Sequence, residues 1–396
     1  VAGNQREAQR KNRRAEKDRR NKRIIWIAIA VVVLILAVMK IFEINVNSVK
    51  DYFTDSDGKF TITDRVIDDN FPYNLDSAQT LSFDAVNNKL GILTPNSFTV
   101  IDNKDAGTEY AFDHGYSNPV MSSSGIYTLV YDQGSKNMRL DTTSSSVYEN
   151  TLENSIYCAA VAKNGSVVYA TVSSEKKSAV TVVTKSLKRQ LFYETSDGYV
   201  VAAAINNSGS KIAFALVNSE SAQLKFTVYT MNVGSNEVKK EIELPAGNLL
   251  ALRYSSNNIF VIGDSYLGVI PGQKKYHPVI EAGNMSTICY TFSPSGDLLI
   301  VYGDYNKSSE NTLARVSASG RVRRETKISS AVKCVSCSSS LVSVLTNSSI
   351  ITCNLSNLEN KGNMKTDDSS KAICQMGSQV YIHRQSVIEK SEAVSK

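Results

Sequence analysis

From about Ser77 onward, apolar residues come in short runs that alternate with polar ones or are β-branched, and Asn, Ser, Gly and Asp separate the runs. Lys211-Ile212-Ala213-Phe214-Ala215-Leu216-Val217 and Leu298-Leu299-Ile300-Val301-Tyr302 are examples. β-Branched and aromatic side chains fit a pleated, half-buried surface, so these runs read as strands. After residue 45 no stretch sustains an apolar period of 3.6 with helix caps, which predicts an all-β domain.

The runs also repeat. Residues 157–169 align without gaps on 288–300, and 201–213 fit the same frame of a strand, a turn closed by glycine (Gly165, Gly296, Gly209) and a second strand. Weaker copies begin near Leu81, Pro119, Ala251, Cys334 and Cys374, with turns at Asn87-Asn88, Gly125 and Asn257-Asn258. Third strands such as 98–101, 180–183 and 226–229, then outer strands such as 190–193 and 241–244, complete units of about 40 residues, the length of a WD40-like propeller blade. Only Ala372–Ile388 is available for the last unit, so an N-terminal strand, Phe60-Thr61-Ile62-Thr63, is expected to supply its missing outer strand. The pattern predicts a β-propeller over 77–396 with eight blades, seven being the main alternative and a pair of β-sandwiches the structural competitor. Closing a ring removes free sheet edges, which suits an all-β domain of this length.

A different pattern precedes the repeats. Sixteen residues from Ile24 to Met39 carry no charge and no proline, and Ile41, Phe42 and Ile44 extend them past Lys40. About 20 residues of helix match a hydrocarbon core of roughly 30 Å. Lys40 can reach the headgroups along its stem, and Trp26, the only tryptophan, stands near the other interface. A cleaved signal peptide would have a shorter apolar region and a small-x-small site, whereas Val38-Met39-Lys40 follows here. The expectation is an uncleaved transmembrane signal anchor over 24–44, behind a basic cytosolic tail (1–23) and ahead of a stalk and first strand (45–76). Asp55-Ser56-Asp57-Gly58 in that stalk lacks the ligand spacing of a calcium loop and reads as a hairpin turn.

Charge sharpens this topology. Residues 1–23 hold ten Lys/Arg against three acidic residues, while the other 373 carry 34 basic and 35 acidic side chains. The net charge of +6 therefore belongs to the tail. It places the N-terminus in the cytosol and the propeller outside a single-pass membrane anchor. A folded part without basic excess excludes a globular nucleic-acid binder.

Candidate chemistry is sparse. Cys158, Cys289, Cys334 and Cys374 fall at one repeat position that Ala202 and Ala251 fill elsewhere, which suggests a small, buried, apolar slot. Cys334 and Cys337 form a CxxC, but residues three apart on a strand face opposite ways and no second pair exists for zinc. Cys353, on a third strand, has no obvious partner, and one bridge between neighbouring blades stays open. His114, His277 and His383 lie in different units without triad or metal spacing. No nucleophile elbow, phosphate loop or dinucleotide fingerprint occurs, so no catalytic residue, metal or cofactor is assigned. The nineteen tyrosines read first as strand-forming and packing residues.

His114-Gly115-Tyr116-Ser117-Asn118-Pro119 and Leu129-Val130-Tyr131-Asp132-Gln133-Gly134, with Phe71-Pro72 ahead of the first blade, are more particular. With the N-terminal anchor, the chain resembles an uncharacterised family of membrane-anchored β-propeller proteins from clostridia and related Firmicutes, most specifically over 71–134. The resemblance implies a single-pass, surface-facing propeller and supplies no catalytic residues. Ser135 stands where that pattern would place a second glycine. Asn118-Pro119 and Gln133-Gly134 read structurally as turns, and His114, Tyr116, Asn118, Tyr131 and Asp132 are the candidate binding residues. The function expected is a binding or scaffold module for a protein or cell-wall polymer. The alternatives are an envelope-facing hydrolase or lyase with its site in the channel, and a ligand sensor.

Overall fold

The computed structural model describes residues 71–393 apart from 78, 221–222, 236 and 282–284. Among the described residues, eight four-stranded antiparallel sheets follow one another along the chain. The eight inner strands are Ser82–Val86, Pro119–Ser124, Ile156–Val161, Tyr199–Ile205, Leu249–Ser255, Met285–Phe292, Val332–Cys337 and Ser370–Met376. The blades are numbered 1 to 8 in that order. The anchor span 24–44, the turn at Asp57-Gly58 and the strand expected at 60–63 lie outside the described residues. Among the described residues no helix is long and apolar enough to cross a membrane.

Apolar residues pack between blades rather than within one. Val168, Val180 and Val182 of blade 3 meet Val200, Ile212 and Phe214 of blade 4 in one cluster. A middle strand is covered on both faces, so Tyr127–Asp132 and Ser178–Val183 are buried throughout, without alternation. The outer strand Thr108–Asp113 alternates exposed and half-buried positions instead. The shared turn also has a physical reason. Gly165, Gly209 and Gly296 hold φ of +83°, +70° and +87°, a region that costs an L side chain about 1–2 kcal/mol. Blade 1 uses Asn87 and Asn88 at φ 45° and 61°, where asparagine is the best tolerated substitute. In blade 5 the two-residue turn is Ser256-Asn257, one residue earlier than expected, because Asn258 already pairs with Ser255.

The ring is closed by a strand other than the one expected. Tyr73–Asn74 is the outer strand of blade 8, with Tyr73 opposite Ile388 and Asn74 opposite Val387. Phe71, preceding a cis Pro72, is buried against Tyr381 at a centroid distance of 5.5 Å.

A second correction concerns the repeat frame. In blades 3 to 8 the inner strand carries a β-bulge near its start, and pairing resumes at Cys158, Ala202, Ala251, Cys289, Cys334 and Ala372. The small-residue position in blade 8 is therefore Ala372, and Cys374 lies two residues further along. Its inner strand begins at Ser370, four residues before the start read from the sequence. Nor is that slot uniformly sealed: Cys158 is buried, but Cys289 and Cys334 are half-buried because the inner strand borders the channel. Cys337 packs toward blade 6 and Cys334 toward blade 8, on opposite faces of their strand.

All six cysteines are free thiols. Burial pushes Cys158 up to about 12 and Cys353 up to about 11. A thiol raised in this way contributes stability that is fully present below its unfolded value of roughly 8.5 and is lost as pH rises toward the folded one. The melting temperature is therefore expected to fall by several degrees between about pH 8.5 and 11. Calorimetry across that range checks this, and Cys158→Ala with Cys353→Ala should make the slope shallower, the remainder coming from Cys289, Cys334, Cys337 and Cys374, which burial also raises.

Candidate functional site

Two places bring chemistry together: a cleft between blades 1 and 2, and the central channel. The cleft starts from the outer strand of blade 1, Thr108–Asp113, and the segment that continues it, where alternate residues are aromatic. Tyr110, Phe112, His114 and Tyr116 share one face, with ring centroids 6.1, 6.3 and 5.0 Å apart in succession. His114 and Tyr116 are stacked, 26° from parallel. Opposite them, blade 2 contributes Asn137 and Arg139 from Asn137–Thr142 and Glu149 from Ser146–Thr151. The open cleft between them has a volume of about 210 Å³.

Arg139 organises this wall. Its guanidinium lies 4.2 Å from the Phe112 centroid, donates through Nε to Asp141 Oδ1 at 2.9 Å, and reaches Glu149 at 3.4 Å. It also donates to the Tyr110 hydroxyl, which donates in turn to Asp141 Oδ1 at 2.8 Å. Asp141 has a fully buried side chain, and burial raises its carboxyl above the usual range against the pull of Tyr110 and Arg139. Burial likewise lowers the His114 imidazole, so it is neutral at pH 7. The carbonyls of Thr94 and Ser97 stand nearby and partly offset this shift. Neither ring nitrogen meets hydrogen-bond geometry with any described group. Tyr116 is pushed up to about 12 by burial and Glu149, so it stays a phenol. The cleft thus offers a neutral aromatic shelf beside one cation, Arg139, and two exposed carboxylates, Asp113 and Glu149.

The five sequence candidates divide. His114 and Tyr116 meet in the cleft. Asn118 stands at the head of blade 2, where its N–H donates to Asp132 Oδ1 at 2.8 Å. Asp132 is buried, and Tyr131 is buried in the core between blades 2 and 3. Gln133 ties this turn to blade 3 by donating through Nε2 to the Tyr157 carbonyl at 2.8 Å. Ser135 closes the loop without a second glycine, because only Gly134 takes a positive φ, of +86°. Sequence reasoning missed Phe112, Arg139 and Glu149. The aromatic ladder of period two from Tyr110 to Tyr116 was a usable signal. Arg139 and Glu149 had none, since they come from the next blade. Two larger surface clefts, about 430 and 690 Å³, are lined by polar groups already engaged with one another, Tyr229 with Asp197 and Arg315 with Asp297.

In the channel, the β-bulges leave one unpaired residue per inner strand. These residues are Tyr157, Val201, Leu250 and Ile288 in blades 3 to 6, then Lys333 and Lys371 in blades 7 and 8. Val201, Leu250 and Ile288 are 41%, 48% and 37% exposed. Deeper along the same strands, Asp84 of blade 1 and Arg253 of blade 5 each stand two residues before the last pair of their hairpin, so they share a register position on opposite blades. Solvent reaches both, yet the surrounding ring thins the water around them. That desolvation raises Asp84, with Arg253 and Ser82 opposing, and lowers Arg253, with Asp84 opposing. Arg253 also stacks on Phe292 of blade 6 at 4.5 Å.

Eight four-stranded blades closed into a ring, with loops on two faces, define a β-propeller. The fold is shared with the C-terminal WD40 domain of Sif2 (TM-score 0.59, 9% identity, 84% of this chain and 99% of that chain). It is shared also with Saccharomyces cerevisiae Sqt1 (0.56, 10%, 82% and 98%) and with the computationally designed Ika8 protein (0.55, 12%, 81% and 98%). At such identities the likeness concerns the fold alone. The chain itself belongs to the family of unknown function DUF5711, which it matches over residues 74–392. No curated protein matches it.

Proposed function

We propose that this chain is a membrane-tethered, extracytoplasmic propeller that binds a protein or cell-envelope polymer of a Gram-positive cell. The observation that carries the reading is the blade 1–2 cleft. It has stacked His114 and Tyr116 on one wall and an ordered Arg139 on the other, within a frame rigid enough to hold them. Aromatic rings beside a fixed guanidinium recur at protein and glycan contacts because they bury area at low entropic cost. The tether follows from the apolar span 24–44 and its ten upstream cations.

The test is crosslinked capture from envelope membranes with the full-length chain, comparing the native sequence with His114→Ala/Tyr116→Ala. An envelope component should be enriched by the native protein, and the double variant should reduce capture about tenfold while circular dichroism shows it folded at the capture temperature. Enrichment of nothing from the envelope, or equal capture by both proteins, would sink the proposal.

A further inference from the structure

The outer strand of blade 6, Val322–Ile328, pairs differently from its counterparts. In blades 1 to 7 the outer strand carries one unpaired residue near its start, and pairing with the third strand resumes at the next residue. That next residue meets an uncharged partner in six of these blades, as Tyr148 meets Leu140, Leu191 meets Val182 and Lys240 meets Thr230. In blade 6 it joins two like charges, Arg324 opposite Arg315, and the unpaired residue is a third arginine, Arg323. Like charges directly opposite on a sheet are destabilising, so the propeller's own stability gives no reason for them.

All three arginines line the surface cleft of about 690 Å³ that reaches blade 7, together with Ser295, Ser317 and Ser356. A bulge re-aims side chains, which lets the successive residues Arg323 and Arg324 face one cleft. The carboxylate in the lining is Asp297 and the apolar residue is Val322. Asp297 accepts from Arg315 Nε at 2.8 Å and Nη2 at 2.6 Å, and from the Ala318 N–H at 3.1 Å. Arg315 is then fixed by the carbonyls of Leu355 and Ser356 in blade 7, at 3.1 and 3.2 Å. That engagement accounts for this pair only. Arg323 and Arg324 are exposed, and no carboxylate among the described residues lies within ion-pair distance of either. Arg324 donates to the Arg323 carbonyl at 3.1 Å. Glu325 belongs to the other face of the strand, where it accepts from Tyr302 at 2.9 Å, and Glu359 on the blade 7 turn pairs with Lys361 at 4.0 Å.

Two guanidinium groups therefore stand uncompensated beside a third that cannot turn away. Forked guanidinium donors with hydroxyls around them match the oxygens of phosphate. We propose that this cleft between blades 6 and 7 binds a phosphodiester chain, with its phosphates on Arg323 and Arg324. One valine gives little seat for the side chains of a peptide, and no aromatic ring lines the cleft on which nucleobases could stack. The chain that fits is a base-free polyol phosphate. The site does not rest on the blade 1–2 cleft, so His114→Ala/Tyr116→Ala should leave it unchanged.

The experiment uses the full-length chain in nanodiscs of neutral lipid and fluorescence anisotropy of two labelled decamers, one of glycerol phosphate and one of aspartate. The glycerol phosphate decamer should bind. The aspartate peptide, whose side chains alternate to opposite sides when extended, should bind at least about tenfold more weakly. Arg323→Gln/Arg324→Gln should weaken the glycerol phosphate decamer by about tenfold or more and make its binding less dependent on salt. Both positions are exposed and the change removes a like-charge pair, so the double variant should melt no lower than the native protein. Attraction by the basic tail alone would leave the double variant at native affinity. That result overturns the proposal, as would no binding up to about 1 mM or an aspartate peptide that binds as tightly.

Discussion

A chain that begins at Ser77 is expected to melt about 5–10 °C below one that begins at Phe71, although only six residues separate them. Those residues complete blade 8. Tyr73 and Asn74 pair with Ile388 and Val387, and Leu75 donates its N–H to the Ser386 carbonyl at 2.8 Å. Phe71 is 3% exposed and belongs to the cluster that joins blade 8 to blade 1, with Phe83, Leu90, Tyr381 and Ile388. Tyr381 then reaches blade 1 directly, donating to the Asn103 carbonyl at 2.5 Å. Removing a buried phenylalanine costs about 3–5 kcal/mol. That is a large share of the ~5–15 kcal/mol that holds a domain together. The loss falls at the one blade built from both ends of the ring, where no covalent continuity compensates. Calorimetry on the two chains measures the difference. Equal melting points would mean that blade 8 holds the ring shut with three strands.

This closing strand also shows where sequence reading succeeds and stops. The blades were legible because each repeats an apolar run and a turn, and the turns need residues that tolerate positive φ: Gly165, Gly209, Gly296, or Asn87 with Asn88. A two-residue strand has no period to detect, so the pattern points to Phe60–Thr63 and gives no sign of Tyr73–Asn74. The bulges were hidden for a related reason. An extra residue in an inner strand shifts pairing without changing composition. In blade 8 the turn is also shorter, two residues between Met376 and Gln379, and the place read at Cys374 belongs to Ala372. The cleft was half legible. His114 and Tyr116 stood out, and the alternation back to Tyr110 pointed to one face. Arg139, Glu149, Asp84 and Arg253 were not recognisable, because a ring assembles its sites from residues contributed one blade at a time.

The second large effect is expected at Arg139. Arg139→Met should destabilise the protein by about 3–5 kcal/mol, because it strips the cation from a carboxylate that cannot reach water. Asp141 has no exposed side-chain surface, and after the substitution it would keep only neutral partners, the hydroxyls of Tyr110 and Ser146. An unpaired buried charge is worse than none. The double variant Arg139→Met/Asp141→Leu should therefore recover most of the loss, as apolar replacement of a buried pair is often neutral or better. Acid provides an independent check. The Asp141 carboxyl is already raised by burial, and losing Arg139 removes one of the groups that hold it down. A carboxyl raised in the folded state contributes stability that is fully present below its unfolded value, about 3.9, and is lost as pH rises through the folded one. Arg139→Met alone should thus regain stability on acidification from pH 7 toward 5, while the double variant should not. Denaturant melts at the two pH values decide between this account and simple loss of arginine packing on Phe112. Packing loss would cost the same at both pH values, and Asp141→Leu would not repair it.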